Sequence, residues 1–259
     1  MKIDSTTISQ ILSSLKDYNP IAYDLMGKVA QALIPIALVI LAILMYLELA
    51  NANRLLAHEQ GKMNTTIFML VAWKYFVAFA LVMISGQLID AIVWINSAIG
   101  WVIDKVLPNK ANISMVIPDI TGKLNLFQKG LIYGLQAVAN FFVWTSEIVV
   151  KILIFLRFFS LYIYKGAAPI LLSTYVSEEW KNISTTYIRS FVALIIQGFV
   201  LVIIMKLYPA IVTNDMFNLV AQGSFTQNLA ALFIILAKAV IYIVVLIGSQ
   251  NLVKRWMGA

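Results

Sequence analysis

The sequence predicts an all-α integral membrane protein: about five transmembrane helices, an N-terminal amphipathic helix, and a broken or re-entrant segment near 158–175. Three observations carry that reading. Hydrophobic residues are 61% of the 259 and charged residues 12%, against roughly 45–50% and 25% in soluble domains. A soluble chain this apolar could not cover its own surface. The apolar residues gather in runs of about twenty, enough for a helix rising about 1.5 Å per residue to cross a hydrocarbon core of about 30 Å. The charges lie mostly between those runs, with no basic tail or block, so the net charge of +7 reads as membrane topology and anionic headgroups rather than nucleic-acid binding.

Residues 1–28 form the first segment. Ile8, Ile11, Leu12 and Leu15 fall on one helical stripe behind the polar start Asp4-Ser5-Thr6-Thr7, and Asn19-Pro20 ends it. Such a helix lies on the bilayer or against the spans, or docks a partner. It lacks the continuous apolar core and small-residue cleavage pattern of a secretory signal, so the first span is expected to direct insertion.

The remainder, 29–252, reads as a single transmembrane domain with spans at about 29–50, 67–86, 131–156, 187–208 and 228–250. Pro35 is expected to kink the first span, and Lys74 interrupts the second. Residues 87–130 read as an exposed loop. Within it Leu88, Ile92, Ile95, Ile99 and Val102 mark an interfacial helix or an extension of the second span, and 108–129 is irregular around Pro108, Pro118 and Gly122. Gly166 and Pro169 interrupt the apolar stretch after the third span, which is why 158–175 is expected to break.

Lys and Arg set the orientation. Over all loops they are nearly balanced, but among short loops 157–189 holds Arg157, Lys165, Lys181 and Arg189 whereas 209–227 holds none. That contrast places the N-terminus outside and the C-terminus, with Lys254 and Arg255, in the cytoplasm of a multi-pass plasma-membrane protein. The 157–189 turn is then cytoplasmic. Its residues Arg157, Lys165, Pro169, Glu178, Glu179, Trp180, Lys181 and Arg189 are the candidate docking site for a cytoplasmic partner.

Catalytic chemistry has little to work with. Cysteine is absent and His58 is the one histidine, which removes thiol chemistry and leaves little for a metal site. No phosphate-binding loop, metalloprotease or nucleophile-elbow motif occurs. Neither an enzyme activity nor a cofactor is expected. The informative groups are charged residues inside the spans, each costing about 2.5–3.5 kcal/mol at a helix centre on insertion scales. Lys238 lies mid-span: it faces a water-filled lumen, pairs with a buried carboxylate elsewhere, or only fixes helix packing. Glu147 and Lys151 are spaced to pair on one helical face, with Glu147 alternatively serving Lys238. Lys74 is an intermediate case. Non-specific passage of a polyanion through a positively lined lumen remains physically open.

From 151 to 208 an apolar span ends in Arg157 and aromatics, a short helix reaches Ala168-Pro169, and a charged turn leads to a span containing Gln197-Gly198. This stretch resembles the TrbL-like polytopic inner-membrane subunit of type IV secretion and conjugation systems. The remainder of the chain matches that family in plan only. The resemblance implies a channel or scaffold subunit that assembles as a homo-oligomer. It also implies contacts with other channel subunits, including a cytoplasmic ATPase, and transient contact with relaxase-bound single-stranded DNA. From the residues alone, a small secondary transporter and a holin-like pore-forming protein stay open beside it.

Overall fold

The computed structural model describes residues 5–58, 65–106, 125–214 and 224–258, and the described chain is helical with short connections. In order the helices are α1 (Ser5–Leu12), α2 (Leu15–Tyr18), α3 (Pro20–His58), α4 (Thr65–Met83), α5 (Ser85–Val106), α6 (Leu126–Ser173), α7 (Lys181–Asn214) and α8 (Phe225–Met257). The all-α membrane class stands. Pro20–Arg54, Ser85–Ile103, Lys181–Val212 and Phe225–Met257 are long and apolar enough to cross a membrane, with Phe68–Met83 a shorter apolar helix. Large apolar side chains such as Val39, Ile43 and Leu47 on α3 or Phe68, Leu70 and Trp73 on α4 face outward, as a lipid solvent requires.

The chain divides into two compact units. One contains Met1–Ser13, Asn96–Arg157 and Ile196–Arg255; the other contains Ser14–Ile95, Phe158–Ile195 and Trp256–Ala259. In the first, Ile132 and Ala139 of α6 pack with Leu232 and Ile235 of α8. In the second, Ala37, Leu41 and Leu44 of α3 pack with Val71, Tyr75, Ala78 and Val82 of α4, and Val176 closes the cluster. Tyr23 meets Asp90 whereas Glu48 meets Lys74, so α3 and the α4–α5 segment run antiparallel.

Several expected boundaries move. The amphipathic stripe is real, with Ile8, Ile11 and Leu15 buried, but the helix breaks earlier than Asn19. Ser14 caps α2, accepting the Asp17 N–H at 3.1 Å and donating to the Asp17 carboxylate at 2.6 Å. Asn19-Pro20 opens the next helix instead of closing the first. Asn19 Oδ1 accepts the Ala22 N–H at 3.0 Å, and proline at a first helical position loses no bond the helix needs. The first membrane helix therefore begins at Pro20, not near 29, and it continues through Pro35 to His58.

The loop expected over 87–130 is helical up to Val106, while 107–124 lies outside the described residues. Helical bonding passes through Ile84, whose N–H reaches Ala80 O while its own carbonyl takes the Leu88 N–H. So α5 continues α4 rather than folding back on it. Finally, 158–175 is not broken. α6 runs through Gly166 and Pro169 to Ser173, and the chain turns only beyond it. Proline removes one ladder bond, but only one turn of helix follows it, and the free carbonyls there are taken. Ser173 Oγ donates to Ile170 O, Thr174 Oγ1 to Leu171 O, and the Tyr175 N–H to Leu172 O.

Candidate functional site

On α6 the buried residues Phe158, Leu161, Tyr162, Ala168 and Leu172 trace one helical stripe, and Lys165 lies on it. The stripe removes the Lys165 ammonium from water, leaving its side chain 5% exposed. Asp90, beside the buried Ile89 on α5, receives it: Nζ lies 2.8 Å from both carboxylate oxygens. The Tyr23 hydroxyl donates to Asp90 Oδ2 at 2.7 Å, and the Tyr23 ring lies 3.4 Å below the ammonium. A desolvated charge needs such a complete set of partners, because the penalty of burial is several kcal/mol per ion.

Two local features fix this arrangement. A Cβ on Gly166 would lie 3.3 Å from Met26 Sδ, so the glycine that was expected to break α6 instead allows its close approach to α3. Tyr162 ties α2, just ahead of α3, its hydroxyl donating to Leu15 O at 2.6 Å. Beside the pair a cleft of about 500 Å³ opens between α3 and the α4–α5 junction.

The far end of α3 carries a second cluster of the same design. Glu48 accepts from Lys74 Nζ and from the Tyr75 hydroxyl, each at 2.8 Å. Lys74, singled out as an intramembrane charge, is thus neutralised by a carboxylate one helix away. Tyr23 and Glu48 are 25 positions apart on α3, about 37 Å of rise, which brackets a hydrocarbon core of about 30 Å.

Arg157 belongs to the other unit and is 2% exposed. Its Nη1 donates to Ile11 O at 2.9 Å, a carbonyl in the last turn of α1 where a cation is favoured. A Cβ on Gly198 would stand 2.2 Å from Arg157 Nη2. The arginine and the Gln-Gly pair that head and close the 151–208 motif therefore meet.

Other expectations shift. Glu147 and Lys151 do not come within ion-pair distance of each other, and no carboxylate among the described residues pairs with Lys238. Lys238 is half-buried and lines an apolar cleft of about 250 Å³ with Ile204, Tyr208 and Ile241. Its carbonyl accepts the Tyr208 hydroxyl. Of the proposed docking turn, Arg157, Lys165 and Pro169 are buried, while Glu178, Glu179, Trp180, Lys181 and Arg189 are exposed. Counting charges also placed Lys165 on the face opposite Tyr23 and Asp90, whereas it is bonded to them. The count errs because it treats a helix-stripe lysine as a loop residue.

Asp90, Glu48 and Tyr23 were missed as partners. The available signal was the α6 stripe: at helical spacing Val150, Leu153, Ile154, Phe158 and Leu161 enclose Arg157 and lead to Lys165, and a cation on an apolar stripe demands an acceptor elsewhere. No curated protein and no solved structure matches the chain. Residues 4–169, running from α1 through Pro169, match the family described as TrbL/VirB6 plasmid conjugal transfer like protein. That match rests mainly on the helices upstream of the 151–208 stretch and ends with the buried stripe of α6. Covering well over half of the sequence and including the Tyr23–Asp90–Lys165 cluster, it shows that the chain belongs to the TrbL/VirB6 plasmid conjugal transfer family.

Proposed function

We propose that this component of a conjugal transfer system is a channel or scaffold subunit of the membrane-embedded secretion machine. As a homo-oligomer it would help relaxase-bound single-stranded DNA cross the plasma membrane. The observation that carries the reading is the family match over 4–169 on a chain whose helices expose apolar faces. Those faces suit lipid and neighbouring subunits. The buried cations Lys165 and Arg157 are satisfied within the protein, which supports a structural role for them. Among the described residues the Lys238 cleft holds no paired carboxylate of the kind a coupled transporter site would use, which supports the channel or scaffold reading over the transporter one.

The energy comes from a cytoplasmic ATPase in this reading, and the exposed Glu178, Glu179, Trp180, Lys181 and Arg189 form its dock. In this reading the C-terminus is cytoplasmic, which Lys254 and Arg255 in the last turn of α8 support, and the five spans expected from the sequence put the N-terminus outside. Deleting the chain is expected to abolish DNA transfer between cells while growth stays normal. Transfer at the parental frequency in the deletion strain would remove the proposal.

A further inference from the structure

The cleft beside Asp90 and Lys165 has features that this pair does not use. Its wall changes character along α3: Asp24, Lys28 and Gln31 come first, and Ile34 follows, level with Met83 at the end of α4. Ten residues of helix rise about 15 Å. That depth takes in a headgroup layer of about 5–8 Å per leaflet and the top of the acyl region. Polar lining at the start of a membrane helix and apolar lining deeper in match the profile of one phospholipid.

Empty space is built into the cleft. Gly27 and Gly86 both line it, and a Cβ on either would meet nothing within 4 Å. Gly166 and Gly198, by contrast, face the close side chains of Met26 and Arg157. Glycine is the poorest helix former after proline, and at 27 and 86 no packing contact calls for it. Larger side chains at these two positions would stand in the cleft.

The free charges are of both signs. Asp24 and Lys28 are one helical turn apart in the favourable acid-before-base order, yet they are paired neither with each other nor with another described residue. Lys165 is already held by Asp90. An anionic headgroup would satisfy Lys28 and leave Asp24 facing like charge. A headgroup carrying both an ammonium and a phosphate satisfies both.

We propose that this cleft binds a zwitterionic phospholipid bearing a primary ammonium, phosphatidylethanolamine. The ammonium meets Asp24, the phosphate meets Lys28, and the acyl chains leave past Ile34 and Met83. Phosphatidylcholine is disfavoured because its trimethylammonium has no N–H to donate to the carboxylate.

The full-length protein is equilibrated with vesicles of equal phosphatidylethanolamine, phosphatidylcholine and phosphatidylglycerol, and the lipid retained after detergent washing is read by native mass spectrometry. Phosphatidylethanolamine is expected to be enriched about tenfold over the other two, in keeping with one charge-assisted hydrogen bond. Asp24→Asn, at an exposed position, is expected to erase the preference over phosphatidylcholine. Gly27→Leu with Gly86→Leu is expected to abolish retention while helicity by circular dichroism is unchanged. Phosphatidylglycerol retained as well as phosphatidylethanolamine, or an undiminished preference in Asp24→Asn, would overturn the assignment. So would binding of free phosphoethanolamine at the same site with equal affinity, since acyl chains would then contribute nothing. Retention is measured on the purified protein, so its outcome is separate from any effect on conjugal transfer.

Discussion

At the scale of single residues, Arg157 and Gly198 act as one object. The guanidinium occupies the place a Cβ at 198 would take, 2.2 Å from Nη2, and it cannot retreat without giving up its bond to Ile11 O. Gly198→Ala is therefore expected to destabilise the protein by about 1–3 kcal/mol, the usual cost of overpacking, seen as a lower Tm in detergent. An unchanged Tm would mean that the arginine is free to move. Lys165 and Asp90 give a second test. Removing one partner of a buried pair costs about 3–5 kcal/mol, and Asp90, whose side chain is 34% exposed, places Asp90→Asn at the lower end. Asp90→Asn combined with Lys165→Met is expected to be more stable than the sum of the single losses predicts, because the orphaned charge is gone; strict additivity of Tm changes would deny the coupling. The sequence marks such residues only partly. Lys74, Arg157 and Lys165 stand out as charges against apolar runs, but their partners are distant in sequence, and nothing in local composition says that position 90 meets position 165 or position 48 meets position 74.

At the scale of elements, helix existence was legible and helix ends were not. Continuous apolar runs identify α3, α7 and α8 because each is long and needs no partner to be recognised. Proline and glycine misled in both directions. Pro20 reads as a stop in the sequence and is a start, since the Asn19 side chain before it caps α3. Gly166 and Pro169 read as a break in the sequence, yet α6 passes both. The difference lies in neighbours: Gly166 sits against Met26, and the Tyr187 hydroxyl donates to Tyr164 O at 2.8 Å, one residue before the carbonyl that proline frees. A cysteine placed at position 170 is accordingly expected to label at the same rate with a membrane-impermeant thiol reagent in the native background and in Pro169→Ala. Faster labelling in the native background would restore the break.

At the scale of the whole molecule, the solvent was legible from composition alone, while orientation rests on where charge is free. Of the four cations in 157–189, Arg157 and Lys165 are buried and bonded, so only Lys181 and Arg189 remain to act on topology. α8 is the cleaner indicator. No lysine or arginine lies between Pro209 and Gln227 before it, and exposed Lys254 and Arg255 close its last turn. The asymmetry belongs to one helix and two short flanks, the setting in which the positive-inside rule is most dependable. A fluorescent protein fused after Ala259 is thus expected to fluoresce in the cytoplasm, and alkaline phosphatase inserted between 215 and 223 is expected to be active outside. The reverse pattern would invert α8 and move the exposed Glu178–Lys181 turn away from any cytoplasmic motor if three crossings precede it. Because the Asp90–Lys165 bond holds α5 and α6 at one level, the same reporters placed on either side of Asp90 are expected to agree with those flanking Lys165. Disagreement would mean that the pair does not form in the membrane, and that the two charges are satisfied by other means.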